Sequence, residues 1–218
     1  MIRNPKASKD SASPEVIVYI VDDDADLRDA LSNLFRSVGL PVGVFGSAAE
    51  LMESQLAEVP SCLVLDIRLP GVSGLDFQTQ LVRAGVRMPI VFMTGHADIP
   101  MSVRAMKAGA IDFLTKPFRD QDMLDAVYSA IEVDRKRRQA DADVAGLNQL
   151  YGSLTKRERE VMAFVTRGLM NKQIAGELGL SEITVKIHRG NVMRKMGVRS
   201  VADLVRAAER LGLGASPD

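Results

Sequence analysis

VIVYIVDDD (residues 16–24) is a run of six apolar residues closed by three aspartates. A strand that is apolar on both faces must be covered on both sides, as happens when helices flank a parallel sheet. Two further runs have the same character, CLVLDI (62–67) and PIVFMT (89–94), and PVGVF (41–45) and IDFL (111–114) are shorter candidates. Between them, Leu27, Ala30, Leu31, Leu34 and Val38 fall at helical spacing and Gly39 supplies a stop. Ser47 and Glu50 have the spacing of a capping box. Further helices are expected near 74–84, at 98–108 ahead of Gly109, and from Asp120 into the 130s.

Five strand-helix units over residues 15–133 predict an α/β domain, a doubly wound five-stranded parallel sheet of the flavodoxin-like order, in which the first and third strands are neighbours. The whole chain has 218 residues, 46% hydrophobic and 26% charged. It has no apolar run of the ~18 residues that a membrane span requires. Residues 1–14 are polar, lack the apolar stretch of a secretory signal and read as a disordered tail. One cysteine, Cys62, excludes an internal disulfide and fits a reducing cytoplasm. With only His96 and His188, a histidine-rich metal centre is excluded as well.

The net charge of zero conceals a division. Residues 15–132 carry 17 Asp+Glu against 9 Lys+Arg, and residues 153–213 carry 12 Lys+Arg against 6 Asp+Glu. An acidic half suits a cation and a basic half suits an anionic polymer. Between them, residues 134–152 are charged with little apolar periodicity and read as a helical linker, with the run Arg135 to Arg138 as a solvated helix end. A second, all-α domain is expected over 153–213, and residues 214–218 as a tail.

Asp22, Asp23 and Asp24 follow the first strand, and Asp66 ends the third. In an open α/β sheet ligands bind beyond the carboxyl ends of the strands at the switch point, so these carboxylates converge there. Converging carboxylates repel one another unless they hold a cation, and Mg²⁺ or Mn²⁺ is the hard ion such a set suits. Asp24 or Asp26 has the alternative use of capping the next helix. Thr94 ends the fourth strand and Lys116 follows the fifth. A carboxylate nucleophile, a divalent ion, a hydroxyl and an ammonium are the parts that take up a phosphoryl group. Asp66 is the expected acceptor, with Lys116 and Thr94 on the phosphoryl oxygens. The Lys116-Pro117 bond is a candidate for the cis form, and His96 is expected to be an exposed loop residue.

The motifs IVDDD (20–24), LVLDIRLPGVSG (63–74), MTG (93–95) and KPF (116–118), in that order and spacing, resemble the receiver domain of two-component response regulators over residues 15–133. The resemblance implies that Asp66 accepts phosphate from a sensor histidine kinase. It also implies that the metal lies between Asp22, Asp23, Asp66 and the backbone carbonyl of Arg68, and that Thr94 and Phe113 form a switch pair. Phe113 stands where many receivers have tyrosine, so no phenolic hydroxyl serves the switch. GHADIPMSVRAMKAGA (95–110) is most similar to the FixJ branch, which implies a homodimer formed through the fourth helix and fifth strand.

Downstream, NKQIAGELGLSEITVKIHRGNVMRKMGV (171–198) has the shape of a helix-turn-helix, with Gly179 at the turn and Ser181 capping the second helix. At about 100° per residue, Val185, Val192 and Met196 share the core face of that helix. The opposite face carries Ile183, Lys186, Ile187, Gly190 and Arg194, a mixture that fits a DNA major groove. Thr184, His188, Asn191 and Lys195 lie on the flanks, toward phosphates. LTKREREVM (154–162) and residues 171–189 resemble the LuxR-type effector domain, which implies double-stranded DNA as partner and a dimer face around Val201 to Ala208. Gly190 departs from the longer polar residue often found there. In mid-helix it costs about 1 kcal/mol relative to alanine, which fits a close backbone approach to DNA.

The chain is therefore expected to be a cytoplasmic, phosphorylation-dependent transcriptional regulator of the NarL/FixJ type, and not an enzyme beyond slow self-dephosphorylation. One alternative is a constitutive DNA binder whose receiver is not phosphorylated. Another is a magnesium phosphatase, which in the haloacid-dehalogenase type needs an acid two residues after the nucleophile, where this chain has Arg68.

Overall fold

The computed structural model describes residues 15–96 and 98–213, so both expected tails lie outside it. Two compact units meet between Arg138 and Gln139. In the first, β1 (Ile17–Val21), β2 (Val42–Phe45), β3 (Ser61–Asp66), β4 (Ile90–Thr94) and β5 (Asp112–Thr115) form one parallel sheet in the order β2-β1-β3-β4-β5. β1 and β3 are neighbours, with Ile17 opposite Ser61 and Val21 opposite Leu65, as the expected order requires. All six residues of β3 are buried, because helices cover both of its faces.

The alternating side chains divide into two cores. On one face Val18, Ile20, Cys62, Val64, Val91 and Met93 pack with Leu31 and Phe35 of α1 (Ala25–Ser37) and with Met123, Val127 and Ile131 of α5 (Asp120–Gly152). On the other, Tyr19, Val21, Leu63, Leu65 and Phe92 pack with Leu51 of α2 (Ala48–Glu53), Phe77 and Leu81 of α3 (Gly74–Arg83) and Ala105 of α4 (Ile99–Lys107). Cys62 is fully buried, and burial, reinforced by the charge of Asp134, pushes its thiol well above the ordinary range.

Residues 134–152 continue α5 as helix, and their first turn packs on the first unit. Asp134 is fully buried and accepts hydrogen bonds from the Ser61 amide (3.0 Å), Arg137 Nη2 (2.5 Å) and Arg138 Nε (2.7 Å). Packing of the first unit thus continues past residue 133, and Arg137 and Arg138 are ion-paired rather than merely solvated. At the far end of α5, Leu147 and Tyr151 pack against the core of the second unit, and the Arg159 guanidinium lies 5.2 Å from the Tyr151 ring centroid.

The second unit adds α6 (Lys156–Thr166), α7 (Asn171–Leu178), α8 (Glu182–Lys195) and α9 (Val201–Arg210). Thr155 and Glu158 form a reciprocal capping box at the start of α6. Gly179 ends α7 at φ 64°, a left-handed conformation that glycine adopts without steric cost. The cap of α7 is Met170, and Asn171 is the first helical residue.

Candidate metal centre and nucleic-acid interface

Because β1 and β3 are adjacent, their carboxyl ends bring Asp22 and Asp66 together, and the turn after β1 adds Asp23. One carboxylate oxygen from each of the three lies within 4.8 Å of the others. Asp22 is fully buried and Asp66 nearly so. Lys116, which follows β5, places its ammonium 2.8 Å from Asp22 Oδ2 and 2.6 Å from Asp66 Oδ2. The remaining oxygens accept backbone amides, Asp22 Oδ1 from Asp24 (2.8 Å) and Asp66 Oδ1 from Arg68 (2.9 Å). Burial raises the Asp22 carboxyl above the usual aspartate range in spite of Lys116. Burial acts to lower the Lys116 ammonium, but its hydrogen bonds to Asp22 and Asp66 outweigh that and raise it.

An all-oxygen donor set with a buried, charge-penalised carboxylate fits a hard divalent cation, which would offset that penalty. The Arg68 side chain is exposed, so what this residue can offer the site is its backbone. Asp24 is the α1 cap, accepting from the amides of Asp26 (3.0 Å) and Leu27 (3.2 Å), and is spoken for locally. Thr94 is fully buried at the end of β4, and its hydroxyl accepts from the His96 amide at 3.3 Å, while His96 itself is exposed. Phe113 pairs with Phe92 across β4 and β5 and is half-buried against the second core. The Lys116-Pro117 bond is cis.

Two residues that pattern reading passed over shape the site. Arg28 Nη1, from the first turn of α1, donates to the Asp22 carbonyl at 2.7 Å, a contact that no spacing rule signals. Gly74 opens α3, and a Cβ there would stand 2.5 Å from the Asp66 carbonyl oxygen and 2.9 Å from Ile67 Cα. The chain therefore crosses directly over the backbone of Asp66, a close approach that only glycine permits.

In the second unit Val185, Val192 and Met196 are buried as expected, and the opposite face of α8 is open. Ile183 is 73% exposed and Ile187 59%, with Lys186, Gly190 and Arg194 exposed beside them. The flank is more occupied than expected. Thr184 is engaged with the cap, its hydroxyl 2.8 Å from that of Ser181, and Asn191 Oδ1 accepts from Arg194 Nη2 at 3.0 Å. His188 is half-buried, with an Nδ1 that has no hydrogen-bond partner among the described residues. Lys195, expected to lie toward phosphates, donates to Glu158 Oε2 (2.6 Å) and the Ser153 carbonyl (3.3 Å). Arg189 was not foreseen: it donates to Asn171 Oδ1 at 3.0 Å and joins α8 to the start of α7. Of the segment expected to be a dimer face, Leu204, Ala207 and Ala208 lie in the core.

Residues 18–128 match the response regulator receiver domain family, and residues 152–208 match the luxR family of bacterial regulatory proteins. The chain is 60% identical to nodulation protein W of Bradyrhizobium diazoefficiens over 205 residues, covering 94% of this chain and 90% of that one. It is 50% identical to the response regulator protein TodT of Pseudomonas putida, covering 89% of this chain and 86% of that one. Among solved structures, the response regulator StyR superposes with a TM-score of 0.81 at 51% identity, covering 90% of this chain and 99% of that one. Full-length FixJ from B. japonicum gives 0.55 at 37% identity, covering 93% and 99%.

Proposed function

This chain belongs to the two-component response regulators, with a receiver domain and a luxR-type DNA-binding domain, and on that footing we propose that Asp66 accepts a phosphoryl group from a sensor histidine kinase and thereby switches promoter binding. The observation that carries this reading is the Lys116 ammonium held between Asp22 and Asp66 at the carboxyl ends of the strands. An oxygen of Asp66 attacks the phosphorus of a phosphohistidine, forming the O–P bond. The P–N bond breaks, and its electron pair leaves on the imidazole, which takes up a proton. Lys116 then pairs with a phosphoryl oxygen, and the Thr94 hydroxyl turns from His96 to another. Asp22, Asp23, Asp66 and the Arg68 carbonyl would hold Mg²⁺ or Mn²⁺, which neutralises charge on the phosphoryl oxygens.

An apolar groove of about 850 Å³ lies beside this site, lined by Leu27, Ala30 and Leu34 of α1 and by Pro117 and Phe118. We assign it to the histidine-bearing segment of the kinase, since it opens next to Lys116. Movement of Thr94, with repacking of the Phe113 ring, carries the change to α4 and β5. There Ile99 is 80% exposed and Val103 and Met106 about half that, at spacings of four and three, beside the sheet edge formed by β5. Pairing two receivers through this face brings two α8 helices to neighbouring DNA half-sites. No helix among the described residues is long and apolar enough to cross a membrane; a DNA partner supports a cytoplasmic location. The chain takes one phosphoryl group per switching event and acts as a regulator rather than an enzyme.

Intact mass with Mg²⁺ and acetyl phosphate, on wild type and Asp66→Asn, with size exclusion of the same samples, tests this. Wild type alone gaining a phosphoryl group and becoming a dimer is the expected result. Neither chain gaining one, even with a cognate kinase, leaves the constitutive binder in its place.

A further inference from the structure

Among the described residues Gly190 has no packing task. It lies in the interior of α8, not among the glycines with positive φ, and a Cβ built there meets no described atom within 4 Å. Neither backbone conformation nor packing requires glycine, and in a helix interior only proline is less favourable. At about 100° per residue, Ile183, Lys186, Ile187 and Arg194 all lie within ~60° of it, so it sits in the middle of the exposed stripe. The isoleucines of that stripe are bare to water and its charged members are both cations. Around Gly190 the surface is therefore a notch with apolar and cationic walls and exposed backbone as its floor.

We propose that Gly190 is a specificity-determining contact, at which the backbone of α8 lies directly against base edges in the major groove. This rests on the reading of α8 as the DNA-contacting helix and adds to it where that helix comes closest. A helix with side chains is ~10–12 Å across and the groove ~12 Å wide, so side-chain length at the centre of the contact face sets the depth of entry. Without a side chain there, Ile183 and Ile187 reach thymine methyls and Lys186 and Arg194 reach acceptor edges together. A residue at 190 that holds the helix away weakens all four contacts at once, while the phosphate contacts that bind any duplex persist.

The test uses the full-length chain, treated with acetyl phosphate and Mg²⁺, and the duplex that wild type enriches from a random-sequence pool, with a scrambled duplex of equal length as the non-specific probe. Gly190→Ala is expected to lower affinity for the enriched duplex about tenfold and Gly190→Leu further. Affinity for the scrambled duplex should not change, and thermal unfolding should show both variants at least as stable as wild type. Ile187→Ala and Lys186→Ala, measured alongside, separate the two ideas. If these lose affinity while the Gly190 variants bind as wild type does, the close approach is wrong and the DNA reading stands. If all four bind as wild type does, both are overturned.

Discussion

Lys195 Nζ lies 2.6 Å from Glu158 Oε2, so the last residue of α8, half-buried, is tied to the buried Glu158 in the first turn of α6. The Lys195 ammonium, with the Thr155 amide 2.8 Å away, holds the Glu158 carboxyl below the usual range. A carboxyl made more acidic by folding contributes stability fully above its unfolded value of 4.5 and loses it as pH falls through the lower folded value. Hydrogen exchange of α6 and α8 is expected to accelerate as pH is lowered from neutral to about 3, after correction for intrinsic rates, and Glu158→Gln should flatten that dependence. Lys195→Met should cost about 1–2 kcal/mol at neutral pH without lowering the salt dependence of DNA binding.

Asp134 satisfies the Ser61 amide and two arginines from a fully buried position. Asp134→Ala leaves the amide unpaired and both guanidinium groups without their carboxylate, an expected loss of about 2–4 kcal/mol. Cys62 lies beside Ser61 at zero exposure and serves as the probe, since its thiol reacts only when this end of the sheet opens. Labelling of Cys62 should speed up markedly in Asp134→Ala and less in Asp134→Asn. An unchanged rate would show that the buried carboxylate is not what holds β3 closed.

Gly74→Ala puts a Cβ against backbone that cannot swing aside, at 2.5 Å from the Asp66 carbonyl oxygen. Overpacking of this kind costs about 1–3 kcal/mol, and relief by moving Asp66 disturbs the acceptor. Slower phosphorylation by acetyl phosphate together with a lower melting temperature is expected. Ser73→Ala, which removes only the cap to the Leu75 amide, should affect stability alone.

Ile99→Asp places a charge on the exposed face of α4. Phosphorylation, read by intact mass, should proceed as in wild type, and size exclusion should show a monomer. Persistence of the dimer would move the pairing surface elsewhere.

The strands were legible because β1, β3 and β4 are apolar on both faces, a pattern confined to strands covered on each side. Observed ends differ from the expected ones by about a residue, as at Asp112–Thr115 for the last strand. The acidic site was legible for a related reason, since strand order fixes which strand ends are neighbours and so which carboxylates meet. Asp134 was not. It continues the stripe of Met123, Val127, Ala130 and Ile131 on α5, but an aspartate on an apolar face looks like the end of the stripe until its partners are known. The ion pair of Lys195 was not legible either, because its partner lies 37 positions away.

By itself the sequence determined the two fold classes, the strand order, the set of residues at the strand ends and the composition of the open face of α8. Each of these rests on local periodicity, capping residues or spacing, which are short-range properties of the chain. The tertiary structure alone decided which charges are consumed internally, that Lys116 bridges Asp22 and Asp66, that Gly74 must lack a side chain, and that Gly190 need not. Those outcomes depend on distances between residues remote in sequence. A charged group in water or against a partner has the same letter in the sequence and a different free energy in the fold.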